Sequence, residues 1–235
     1  MLSASAIVFV GNFNPAIFQP QWFDRYKILP IQDIQWAEGQ KPKRTEIDKG
    51  QGRKMIIDEV PNMIITPERA DINFPSERIQ VDARKFICST NKRKYFSLIK
   101  ETTVKIFSFL EHTPVQQLGI NFDAHWKFKN SSQSVLRNIF ASDSKRISEA
   151  IGNNYLVGGT IKIDKNDSII KMKFDSSSVL EDGIYINANF HREIQTKQAG
   201  EAVDVLNKNY EADRTNFIEY AQKLLGDPID TWERQ

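Results

Sequence analysis

The chain has 235 residues, 40% apolar and 26% charged, with a formal net charge of +2. That balance excludes a largely disordered polymer, because enough apolar surface is present to offset the entropy of ordering the chain, and the length suffices for a sizeable core. No run approaches the roughly 20 consecutive apolar residues of a membrane-crossing helix, the apolar stretch 6–10 is too short for a signal-peptide core, and the single cysteine, Cys88, requires no oxidising compartment. A cytoplasmic location is the expectation.

Residues 5–10 are β-branched and apolar and stop at Gly11, which predicts a first strand. An aromatic stretch punctuated by prolines follows. A helix opened by Pro20 puts Trp22, Phe23 and Tyr26 on one face. With Phe13 and Phe18 these residues form a candidate interface, since large aromatics are favoured at interface cores. The alternative is a lid packed on the chain's own core.

Residues 37–54 combine Gly39, Gly50, Gly52 and Pro42 with many charges, which predicts a loose surface loop. Its Gly50-Gln51-Gly52-Arg53-Lys54 run lacks the glycine before the lysine and the hydroxyl after it that a phosphate loop needs. Strands are expected at 55–57, 62–66, 70–74 and 78–81, with Pro67 and Pro75 marking hairpin connections.

Between 84 and 105 seven bases face Glu101 alone. Arg84, Lys85, Lys92, Arg93 and Lys94 are candidate nucleic-acid contacts, with Tyr95 and Phe96 as stacking platforms. Those two aromatics also begin the stripe of an amphipathic helix over 91–111, continued by Ile99, Thr103, Ile106, Phe107 and Leu110, where burial explains them better. Cys88, in the apolar run Phe86-Ile87-Cys88, reads as a buried, inert thiol.

Residues 115–129 predict a strand with Ile120, Phe122, Ala124, Trp126 and Phe128 on one face and Asn121, Asp123, His125, Lys127 and Lys129 on the other. Short helices are expected at 134–140 and 144–151, then strands at 154–163, 168–174 and 183–191. A long helix over 200–225 carries Val203, Leu206, Tyr210, Phe217, Ala221 and Leu224, and is stopped by Gly226 and Pro228. Strands on short turns with irregular helices indicate an α+β fold: one domain over 1–235, a twisted, mainly antiparallel sheet with two long amphipathic helices on one face.

Two segments echo each other, Ile120-Asn121-Phe122-Asp123-Ala124-His125 and Ile186-Asn187-Ala188-Asn189-Phe190-His191. The echo suggests two related halves, 1–130 and 131–235. Should the two strands lie together, period-two geometry turns Asn121, Asp123, His125, Asn187, Asn189 and His191 outward as one candidate polar site of imidazoles, a carboxylate and amides. No Cys-x-x-Cys or His-Glu-x-x-His spacing marks a metal site, and the sequence names no cofactor. The leading functional expectation is a non-catalytic interaction subunit or adaptor of an intracellular assembly, its partner another protein or a second copy. The alternatives are a nucleic-acid-binding accessory protein using the basic stretch 84–105, and an enzyme with a His/Asp/Asn site on the polar face of the sheet.

Overall fold

The computed structural model describes residues 1–28, 62–74, 76–141 and 143–232; the expected loop at 37–54 and strand at 55–57 lie outside the described residues. The apolar alternation at the start of the chain forms β1 (Leu2–Gly11), with Ile7 and Phe9 fully buried and Ala6 and Val8 half-buried. A 3-10 turn at Pro15–Ile17 leads into α1 (Pro20–Arg25), where proline is tolerated because a first-turn amide has no helical partner. β2 (Asn62–Ile65), β3 (Arg69–Asn73), β4 (Arg78–Asp82) and β5 (Lys85–Thr90) form a meander, followed by α2 (Phe96–Phe109). The second part contains β6 (Val115–Lys127), α3 (Ser132–Phe140), α4 (Ser144–Ile151), the meander β7 (Gly159–Lys165), β8 (Ser168–Ser176) and β9 (Gly183–Glu193), and α5 (Ala199–Leu225). A two-residue strand, β10 (Asp230–Thr231), pairs with β6.

All these strands join one open antiparallel sheet in the order β2-β3-β4-β5-β1-β6-β9-β8-β7. Setting β2 aside, the order is the same read outward from the centre: β1, β5, β4, β3 on one side and β6, β9, β8, β7 on the other. The chain also repeats its element order of strand, short helix, meander and long helix. This topological repeat has its seam between α2 and β6, so 115–127 opens the second unit. The echoed hexapeptides are the adjacent strands β6 and β9, not equivalent strands of the two units.

The two long helices pack on one face, as their stripes require. α2 buries Phe96, Ile99, Ile106 and Phe107, and α5 buries Leu206, Tyr210, Phe217 and Ala221. Phe122 of β6 lies under both, 6.5 Å from the Phe96 ring and 5.5 Å from that of Tyr210. Two polar ties hold α5 in place. The Tyr210 hydroxyl donates to Phe96 O at 3.1 Å and lies 2.9 Å from Ser5 Oγ. Arg192 of β9 forms a buried fork with Asp213, donating from Nη1 at 2.6 Å and Nη2 at 2.8 Å.

The shorter helices use the same face. Phe18 packs 6.1 Å from Phe86, and Phe140 of α3 packs 5.7 Å from Phe174. Gly159 makes the latter contact feasible, since a Cβ there would come within 2.3 Å of the Phe140 ring. The opposite face of the sheet is therefore left bare by the described helices.

Candidate functional site

The open face is built by the alternate residues of each strand. Asn121 lies opposite Asn189, Asp123 opposite Asn187 and His125 opposite Tyr185 across the β6–β9 pair. On the far side β1 offers only small residues, Ala4 opposite Asp123 and Ala6 opposite Asn121. Beyond β1, Ser89 of β5 lies opposite Ala6, and Arg78 of β4 opposite Ser89. Small residues in the middle with polar residues on both flanks form a cleft of 560 Å³ whose far wall includes Asn73 and Asn91.

Hydrogen bonds preorganise the amides. Asn187 Nδ2 donates to Asp123 Oδ1 at 2.6 Å, and Asn189 Nδ2 donates to Asn121 Oδ1 at 2.7 Å. Asn121 in turn donates to the Ala6 carbonyl at 3.4 Å. Burial pushes the Asp123 carboxyl above its ordinary range, while the hydrogen bonds from Asn187 and Tyr185 and the nearby His125 pull it back. Burial and the Asp123 carboxylate push the Tyr185 phenol up. Burial lowers the His125 pKa, and Asp123 opposes that shift. His125 Nδ1 lies 2.8 Å from Ser177 Oγ, and its ring is 5.0 Å from Tyr185 and 5.5 Å from Trp232.

The six candidate polar residues all turn to this face, but only part of the set converges. His191 lies opposite Gly119, whereas His125 is six positions further along β6, a separation of about 20 Å at strand rise. The two imidazoles therefore cannot hold one small ligand. His191 Nε2 instead sits 3.2 Å from Glu193 Oε1 at the other end of the face. The convergent group is Asn121, Asp123, Asn187 and Asn189, joined by His125 and Tyr185 at one end.

The two other candidate sets take different roles. Phe13, Phe18 and Phe23 are buried in the core, which corrects their assignment to an interface: apolar rings reach Phe86 and Phe107 before they reach a partner. Trp22 is half-buried against Phe18 and Phe23, and Tyr26 rests on the exposed Phe109 at 4.5 Å. The basic candidates do not form one patch. Arg84 and Lys85 stand where β5 begins, while Lys92, Arg93 and Lys94 follow its other end, about 17–20 Å away for a strand of this length. Phe96 is buried, and Tyr95 carries Lys94 over its ring at 4.9 Å.

Sequence reasoning missed Tyr185, although its period-two spacing from Asn187 marks it. It also missed Asn73, Arg78, Ser89 and Asn91, which reach the site only through strand pairing. Cys88 is buried as expected, beside Glu77 Oε2 at 3.8 Å, and burial pushes its thiol up. Among the described residues no group of three or more His, Cys, Asp or Glu is placed to hold a metal ion, and no helix is long and apolar enough to cross a membrane. No protein-family model matches the chain, and no curated protein matches it.

Proposed function

We propose that this chain is a non-catalytic interaction subunit or adaptor that presents the open face of its sheet to another protein chain, a second copy included. The observation that carries this reading is the one-sided placement of the helices. It leaves a face many strands wide on which Val8 and Ile87 form an apolar pair, and the exposed Ile64 lies in the same cross-strand row beyond Gln80 and Asp71. An apolar centre ringed by polar groups is the arrangement of a protein interface. The side-chain bonding also favours binding over catalysis: Asp123 Oδ1 is taken by Asn187, and His125 Nδ1 is held at Ser177.

The test is in-cell cross-linking with mass spectrometry, together with light scattering of the purified chain, comparing wild type with Val8→Arg and Ile87→Lys. A charge at the Val8–Ile87 pair abolishes the specific cross-links or the self-association while the fold is retained. Identical cross-links and identical mass in folded variants would overturn the reading.

A further inference from the structure

We infer that the cleft between Asn91 at the end of β5 and the amides of β6 and β9 is a binding site for a neutral polyhydroxylated ligand, a mono- or disaccharide. The site goes beyond the interface reading and does not depend on it.

The cleft measures 560 Å³, within the roughly 300–1,000 Å³ of small-ligand sites. Its walls come from distant parts of the chain: Asn73, Arg78 and Asn91 on one side, Asn121, Asp123 and Asn187 on the other. Ala4 and Ala6 form the floor, and Phe74 adds apolar surface at one wall. From Arg78 to Asn187 the face crosses β5, β1 and β6, a width of about 19 Å at ordinary strand spacing.

The chemistry of the walls selects the ligand. An asparagine amide both donates and accepts, as a sugar hydroxyl does, so a set of amides matches a ligand whose every polar group has both capacities. The side chains of Asn73 and Asn91 make no hydrogen bond among the described residues and are free to meet such hydroxyls. The amides of Asn121 and Asn187 are held in place by Ala6 and Asp123 and keep their remaining lone pairs and protons for a ligand.

Net charge is disfavoured from both ends. An anion drawn to Arg78, the cationic side chain of the described lining, also meets that lining's two carboxyl groups, Glu77 and Asp123. A cation drawn to Asp123 meets an oxygen already bonded by Asn187, with Arg78 across the floor. A neutral ligand avoids both conflicts, and its C–H faces rest on the alanine methyls. A site built to bond hydroxyls rejects analogues that lack them, because its polar groups are then left unpaired.

Side-chain amide NMR decides the matter. Glucose, N-acetylglucosamine and maltose are titrated into the labelled chain, with glucose 6-phosphate and glucosamine as charged comparators and cyclohexanol as the hydroxyl-poor one. At least one neutral saccharide shifts the Asn91 and Asn121 amide signals, which face each other across the alanine floor, in a saturable manner, and neither charged sugar nor cyclohexanol binds as tightly. Ala6→Phe fills the floor and abolishes the shifts with backbone signals of the sheet preserved. Should that variant not fold, Asn91→Ala at the exposed rim reads the same contact, weakening binding by about tenfold. The absence of saturable shifts for every neutral saccharide overturns the inference. So do shifts that survive both Ala6→Phe and Asn91→Ala, and so does tighter binding of a charged sugar.

Discussion

Asn187 donates its side-chain amide to Asp123 Oδ1 at 2.6 Å from the position directly opposite it in the β6–β9 register. That bond is the main local force lowering the Asp123 pKa against the burial that raises it. In Asn187→Ala the carboxyl titrates at a higher pH than in the wild type, read by carbon-detected NMR, and the protein loses about 1–3 kcal/mol of stability at pH 7. The folded pKa already lies above the unfolded one, so this group's stabilising contribution is present below its unfolded pKa and is lost as pH rises through the folded one. The variant extends that window upward. An unmoved Asp123 midpoint would show that the bond does not govern the carboxyl.

A second pH dependence belongs to Glu77, buried under α2. Thr102 Oγ1 donates to its Oε1 at 3.2 Å, and the Cys88 thiol donates to its Oε2 at 3.8 Å. Burial raises its pKa from 4.5 to about 7, against opposing contributions from Thr102, Cys88 and Lys105. The folded state therefore holds this proton where the unfolded chain releases it. The stabilisation is complete below pH 4.5 and disappears as pH rises through about 7, with a total on the order of 3 kcal/mol. Glu77→Gln flattens the stability profile over that window in urea titrations. A profile of unchanged slope would mean that the carboxyl is ionised in the folded protein.

The buried fork between Arg192 and Asp213 makes a prediction of opposite character. Both side chains are almost wholly enclosed, at 6% and 3% exposure, so removing one strands the other. Arg192→Met alone costs about 3–5 kcal/mol, whereas Arg192→Met with Asp213→Leu recovers more than half of the loss, because burying two charges is itself expensive. Denaturant unfolding of the two singles and the double completes the cycle. Strict additivity would rule out the coupling.

The N-terminal aromatics separate by burial. Phe23 is fully enclosed and Trp22 is half-buried. Phe23→Ala destabilises by about 3–5 kcal/mol through the cavity it leaves, and Trp22→Ala by well under half of that. Thermal and urea unfolding check the order. Equal and small losses would mean that this segment is not part of the core.

Much of the fold was determined by the sequence alone. The period-two alternation of β6 and β9 and the 3-to-4 spacing of α2 and α5 are local properties, since each strand or helix must turn one face to the core whatever its neighbours are. The polar face of β6 was legible for that reason, as were the elements at α1, α3, α4 and the β7–β9 meander. Tertiary structure decided what those faces meet. Phe18 and Phe23 carry the same signal whether a partner or their own core covers them, and only the placement of Phe86 and Phe107 resolves it. The cleft depends on Asn73, Arg78 and Asn91 being brought across β1 from Asn121 and Asn187 through pairings distant in sequence. The echoed strands show the limit most plainly. Two copies of one motif in antiparallel neighbours run head to tail, so Asp123 meets Asn187 at the middle while His125 and His191 are carried to opposite ends.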